Sequence, residues 1–157
     1  MYRIYRDVRF ASDKSPYKTS MSAVIGPGGR RSQRLNLYVH IEPGASMAAS
    51  GLYMPTPDQL KRVRASIDDD DRPLRAVLGA RDFKKHFGAL SGERLKSSPR
   101  GYAADHPAAD LLAHKQFLAM AKFGDADVIG SRFAAKVMAI AQAMKPFNAH
   151  FNALLGV

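Results

Sequence analysis

Arg3, Arg6 and Arg9 stand three residues apart near the start of the chain, and Lys14, Tyr17 and Lys18 follow before position 20. Guanidinium and ammonium groups bind phosphate and carboxylate, the guanidinium through a planar fork that takes two oxygens at once. This run is therefore a candidate anion-binding site, and Arg100 in a later basic loop is a further candidate. Alternation along residues 2–10 places Arg6 on one face with Ile4, Val8 and Phe10, where a charge is costly unless it is paired. Its partner is either an internal carboxylate, Asp13 or Glu42, or the anionic group of a ligand. Arg3, Asp7 and Arg9 fall on the opposite face around Tyr5, either paired among themselves in solvent or turned to a ligand.

A second group of residues suits acid–base chemistry. His40 and Glu42 share a strand face with Asn36 and Tyr38, which suits an imidazole oriented by a carboxylate but equally forms the polar side of a strand. Asp105 and His106 stand before Pro107 at an expected helix start, where amides favour anions and where Asp105 is also an ordinary cap. If the chain is an enzyme, these four are its candidate catalytic residues. The five histidines show no paired-ligand spacing, there are no cysteines, and the run Asp68–Asp71 lacks the alternation and glycine of a calcium loop, so no metal site is expected. Gly26-Pro27-Gly28-Gly29 is not followed by Gly-Lys-Ser/Thr and there is no Gly-x-Ser-x-Gly elbow, which excludes P-loop hydrolysis and the serine-hydrolase motif. No cofactor is implied.

These residues need a scaffold, and 157 residues with 46% hydrophobic composition suffice for one domain with one core. The expected fold is α+β, with a mainly antiparallel sheet of about three or four strands over residues 1–55 and about five helices packed on it over residues 56–157. Strands are expected at residues 2–10, 21–25, 35–42 and 51–54, the second and third joined by a basic tip at Arg30-Arg31. Thr56-Pro57-Asp58-Gln59 predicts a capped helix start, with short helices expected at 74–78 and 81–87. A longer helix is expected from Asp105 to Gly124, and another from about Asp127 to Lys145, broken by Pro146.

The net charge of +10 is uneven: residues 1–40 hold eight Lys/Arg against two acids. Such asymmetry either attracts polyanions or serves solubility. The N-terminal residues lack the apolar run of a signal peptide, and no apolar stretch spans a bilayer, so no membrane partner and a cytoplasmic address are expected.

Several segments carry a resemblance. Arg3-Ile4-Tyr5-Arg6-Asp7-Val8-Arg9-Phe10 with Asp13-Lys14-Ser15-Pro16-Tyr17-Lys18-Thr19, then Tyr38-Val39-His40-Ile41-Glu42-Pro43-Gly44, Gly51-Leu52-Tyr53-Met54-Pro55, Pro99-Arg100-Gly101-Tyr102 and Asp105-His106-Pro107, resemble in order the family catalogued as domain of unknown function 2461. The resemblance implies an intracellular α+β domain and no established activity. It also implies several dozen residues ahead of the first of these segments, so the expectation is either a shortened member, its apolar surface or sheet edge covered by a partner subunit, or a start assigned late; an exposed edge would favour a homo-oligomer.

Function is expected to be binding of anionic, phosphate-bearing small molecules or nucleic acid through the basic N-terminal strand and loop. The alternatives are a metal-independent enzyme acting on an anionic substrate and a structural or protein-interaction domain.

Overall fold

Thr56, Pro57 and Gln59 open a helix by a reciprocal capping box: the Thr56 hydroxyl accepts from the Gln59 amide, and the Gln59 side chain accepts from the Thr56 amide. That helix, α1 (Pro57–Asp69), is the first element of the helical layer in a computed structural model that describes every residue except Ala11. Before it come β1 (Met21–Ile25), a 3-10 turn (Gly29–Arg31), β2 (Leu37–Ile41) and β3 (Met47–Leu52). After it follow α2 (Arg72–Gly79), α3 (Arg81–Phe87), α4 (Ala109–Leu112), β4 (Phe117–Lys122), α5 (Asp125–Val128) and α6 (Phe133–Leu155). The fold is α+β, as expected from the sequence.

The four strands form one antiparallel sheet in the order β1-β2-β3-β4. Because side chains alternate across a sheet, the pairs Val39↔Ala48 and Ala48↔Ala121 share one face, whereas Tyr38↔Ala49 and Ala49↔Met120 share the other. The first face is the core side, where Leu37, Val39, Ala48, Leu52, Phe117, Ala119 and Ala121 are buried. They meet Val63 and Ile67 of α1, Phe83 and Phe87 of α3, and the stripe Ile140, Met144, Phe147, Phe151 and Leu155 of α6. Phe147 packs 5.6 Å from Phe83, and Phe151 packs 5.6 Å from Phe117, centroid to centroid. Two polar clasps fix α6 against this layer: Ser50 Oγ donates to Asn148 Oδ1 at 2.7 Å, and the Leu35 amide donates to Asn152 Oδ1 at 2.7 Å.

Four expectations are corrected. Residues 2–10 form no regular strand: they run beside residues 16–18 through the bridge Tyr5↔Tyr17 and the bonds Arg6 N–H to Pro16 O and Lys18 N–H to Ile4 O. Phe10 is 95% exposed, so this ribbon lacks the second layer that a half-buried strand needs. The segment Asp105 to Gly124 holds only the four-residue α4 and then β4; its apolar run fits either state, and pairing with β3 decides it. The strand expected at 51–54 begins earlier, at Met47, because the small residues Ala48, Ala49 and Ser50 are poor strand signals that packing overrides. Finally, α6 continues through Pro146. The buried stripe on either side of that residue keeps one helical spacing, and its burial outweighs the roughly 3 kcal/mol cost of an interior proline.

Candidate functional site

Among the described residues the second face of the sheet carries no helical layer. Ser22 and Val24 of β1, Tyr38 and His40 of β2, Met47, Ala49 and Gly51 of β3, and Leu118, Met120 and Lys122 of β4 share it by register. Tyr2 lies along one border, tied by its amide to the Ser22 carbonyl at 2.9 Å and set edge-on to Tyr38 at 6.1 Å. Together with Lys18, Asn36 and Tyr53, all of these except His40 and Lys122 line a groove of about 620 Å³. Val24, Asn36, Gly51 and Tyr53 also border a second recess of about 290 Å³. That recess adds Arg30, Ser32, Gln33 and Arg34 from the β1–β2 connection and Gln59 from α1. The Arg30 guanidinium lies over the Tyr2 ring at 5.2 Å, a cation–π contact that holds the basic turn against the groove's border.

The electrostatics of this face follow from which cations are already paired. Among the described residues Lys18, Arg30 and Arg34 have no carboxylate partner, and neither do Arg3 and Arg100. Arg6 is committed internally. Its guanidinium pairs with Asp13 and donates to Ser15 Oγ at 2.7 Å. The Ser15 backbone amide and then Arg6 hold the Asp13 carboxyl down at about 2. Arg9 forms a two-pronged contact with Asp7 at 2.9 and 2.7 Å, which lowers the Asp7 pKa. Lys14 donates to the Val8 carbonyl at 3.0 Å, and the exposed Tyr17 ring sits 5.4 Å from Tyr5. Of the N-terminal candidates, only Lys18 borders the groove; it also borders a neighbouring recess with Arg6, Asp7 and Asp13.

The four acid–base candidates separate into two places. On β2, Tyr38 Oη lies 3.2 Å from His40 Nδ1 and His40 Nε2 lies 2.9 Å from Glu42 Oε2, a continuous hydrogen-bonded chain along the open face. Glu42 is itself fixed by a turn clasp, its amide donating to Ser46 Oγ and its carbonyl accepting from that hydroxyl. His106 belongs instead to the helical side: Nε2 meets Asp68 of α1 at 3.0 Å and Nδ1 accepts from the Ala108 amide at 3.0 Å. The structure therefore does not bring Asp105 and His106 to His40 and Glu42, and Arg100 stands in the same loop as His106, next to the buried Pro99. Other members of the aspartate run are ion-paired, Asp70 with Arg72 and Asp71 with Arg75. Among the described residues no group of three or more metal-ligating side chains is gathered, and no helix is long and apolar enough to cross a membrane.

Sequence reasoning missed Tyr2, Ser22 and Tyr53 as groove residues and Arg34 as a residue of the adjoining recess, and treated Arg30 as a tip. The signal for Tyr38 was present in its spacing to His40. The rest depended on knowing which sheet face lacks helices.

Residues 1–150 match the model of a family described as conserved hypothetical protein (DUF2461), a description that names no activity. No curated protein and no solved structure matches the chain.

Proposed function

We propose a binding function for this chain, which belongs to that DUF2461 family: the open face of its sheet takes a phosphate-bearing ligand with a flat, largely apolar body. The observation that carries the reading is an aromatic and apolar groove lined by Lys18 and continuous with a recess lined by Arg30 and Arg34, none of the three neutralised by a carboxylate among the described residues. A groove of about 620 Å³ suits a ligand of mononucleotide size. Tyr2, Tyr38 and Tyr53 offer ring faces for stacking and Ser22 and Asn36 offer hydrogen bonds, while unpaired cations favour phosphate. This moves the expected anion site from the Arg6 strand to the groove, because Arg6 and Arg9 already hold carboxylates.

Met47 and Met120 line the groove, so their methyl groups report occupancy in a carbon-13 NMR titration with adenosine monophosphate. Both signals should shift saturably, and Lys18→Ala should weaken binding roughly tenfold, about 1.4 kcal/mol. Methyl signals that stay fixed through millimolar ligand would remove the reading.

Continuity of the groove with the Arg30–Arg34 recess favours an extended form of the same ligand, a single nucleic-acid strand stacked on tyrosines with its phosphates on the basic turn. Its binding should fall steeply with salt. A labelled single-stranded oligonucleotide that shows no anisotropy change at low salt would restrict the site to small ligands. A cytoplasmic location accords with the absence of cysteines.

A further inference from the structure

The groove has a wall that a binding role does not use. Tyr38, His40 and Glu42 occupy alternate positions of β2 and its following turn, which puts three side chains in line on the open face. The contacts of 3.2 and 2.9 Å join them end to end. An ionised carboxylate only accepts hydrogen bonds, so Glu42 requires the hydrogen of His40 on Nε2. Nδ1 is then an acceptor, and the Tyr38 hydroxyl must donate to it. Tyr38 lines the groove while His40 and Glu42 do not, so the remaining lone pairs of Tyr38 Oη are what the chain offers to a ligand.

We propose that Tyr38, His40 and Glu42 form a proton relay that makes the groove a site of acid–base catalysis on an anionic carbon acid, with Tyr38 the catalytic residue and His40 and Glu42 positioning residues. The proposal rests on the groove being a ligand site. The ligand class follows from what the groove and its adjoining recess supply: Lys18 of the groove and Arg30 of the recess for an anionic group, an apolar floor of Ala49, Leu118 and Met120 for its body, and one proton acceptor at Tyr38.

The step balances within the ligand. As a C–H bond beside a carbonyl breaks, its electron pair becomes the C=C bond of an enolate and the carbonyl pair moves to oxygen. The released proton goes to Tyr38 Oη while Tyr38's own proton passes to His40 Nδ1. The imidazolium so formed is balanced by Glu42, and the developing enolate by the neighbouring cations. Reversal through the same atoms returns a proton to carbon or places it on oxygen, so the overall change is an isomerisation or an exchange with solvent and needs no further reactant. The geometry parallels an alcohol nucleophile–imidazole–carboxylate chain in its logic of orientation, with a phenol at the reacting end.

Phenylpyruvate has the three features required: a carboxylate, an aromatic body and an acidic methylene. In deuterium oxide the wild-type chain should speed loss of its methylene proton signal at least tenfold above buffer while shifting the Met47 and Met120 methyls. Tyr38→Phe, which keeps the ring, should bind equally and exchange at the buffer rate. Glu42→Gln should lower kcat at least tenfold with KM little changed. Independently of any ligand, nitrogen-15 NMR should show His40 protonated on Nε2 with Nδ1 bare, and Glu42→Gln should shift that balance. A probe that binds yet exchanges at the buffer rate, exchange that survives Tyr38→Phe, or the opposite His40 tautomer would each overturn the relay and leave the binding groove standing. Methyl signals unmoved by both phenylpyruvate and adenosine monophosphate would instead remove the groove reading, and the relay with it.

Discussion

Gly51 of β3 faces the backbone of β4 at the groove, paired with Leu118, and replacing it with alanine is a quantitative test of the sheet. Its φ of +129° is a conformation that side-chain-bearing residues rarely adopt. A Cβ there would lie 2.0 Å from the Phe117 carbonyl oxygen and 3.0 Å from Leu118 Cα, both backbone atoms of the neighbouring strand. Contacts below 3.0 Å essentially never occur, so the strands must part by at least 1 Å at this point. The strained backbone costs about 1–3 kcal/mol, and weakening two ladder bonds beside it adds about 1 kcal/mol each. A loss of about 4 kcal/mol is expected, which for a chain of this size lowers Tm by roughly 8–16 °C. Gly88→Ala provides the control, since Gly88 has φ +70° but nothing within 4 Å of the added carbon; it should lose only the backbone share, about 1–3 kcal/mol. Urea denaturation with the slope compared between variants separates the two. Gly51→Ala no less stable than Gly88→Ala would refute the close approach of β3 and β4.

Asn152→Ala strips the Leu35 amide of its 2.7 Å acceptor and should cost about 1–3 kcal/mol of unfolding free energy, read by urea denaturation. Pro146→Ala restores the amide donor that α6 lacks at that position; with the gain of roughly 3 kcal/mol in the helix partly offset by about 1 kcal/mol of added unfolded-chain entropy, it should stabilise the protein, and a lower Tm would contradict this. His114 is 6% exposed, with Nδ1 unpartnered among the described residues, and burial followed by the charge of Arg94 pushes its pKa below the ordinary 6.5. The unfolded chain then binds the extra proton, so stability should fall as pH drops below about 6.5, less so in His114→Gln, as urea midpoints at several pH values would show. For Asp13 the sign is the same and the cause opposite, because here the native state favours the charged form. Its carboxyl is held down at about 2 from 3.8, so the clasp with Ser15 and Arg6 contributes fully above pH 3.8 and is lost towards pH 2. Carbon-13 titration of the carboxyl should show that midpoint, and Arg6→Ala should leave it still lowered, because the Ser15 amide is the larger cause.

Local order was the most legible level. The Thr56–Gln59 box names its helix start in four residues because both partners of each hydrogen bond are near neighbours in sequence. The alternation from Leu37 to Ile41 likewise names β2 and the shared side of Tyr38, His40 and Glu42. What failed were segments whose state depends on distant partners. Phe117–Lys122 reads equally well as helix until Gly51 admits it beside β3, and the alternating residues 2–10 have the pattern of a strand without a layer to bury it.

The candidate site divides along the same line. Composition and order alone determined the excess of N-terminal cations, the absence of thiol chemistry, and the spacing that aligns an imidazole with a carboxylate. Only the tertiary structure decided which cations are spent on Asp7 and Asp13, which face of the sheet the helices leave bare, and that Lys18 lines a groove whose Tyr2 packs under Arg30. A residue's type and spacing are local properties, whereas the desolvation and pairing that set its chemistry depend on groups brought together from across the chain.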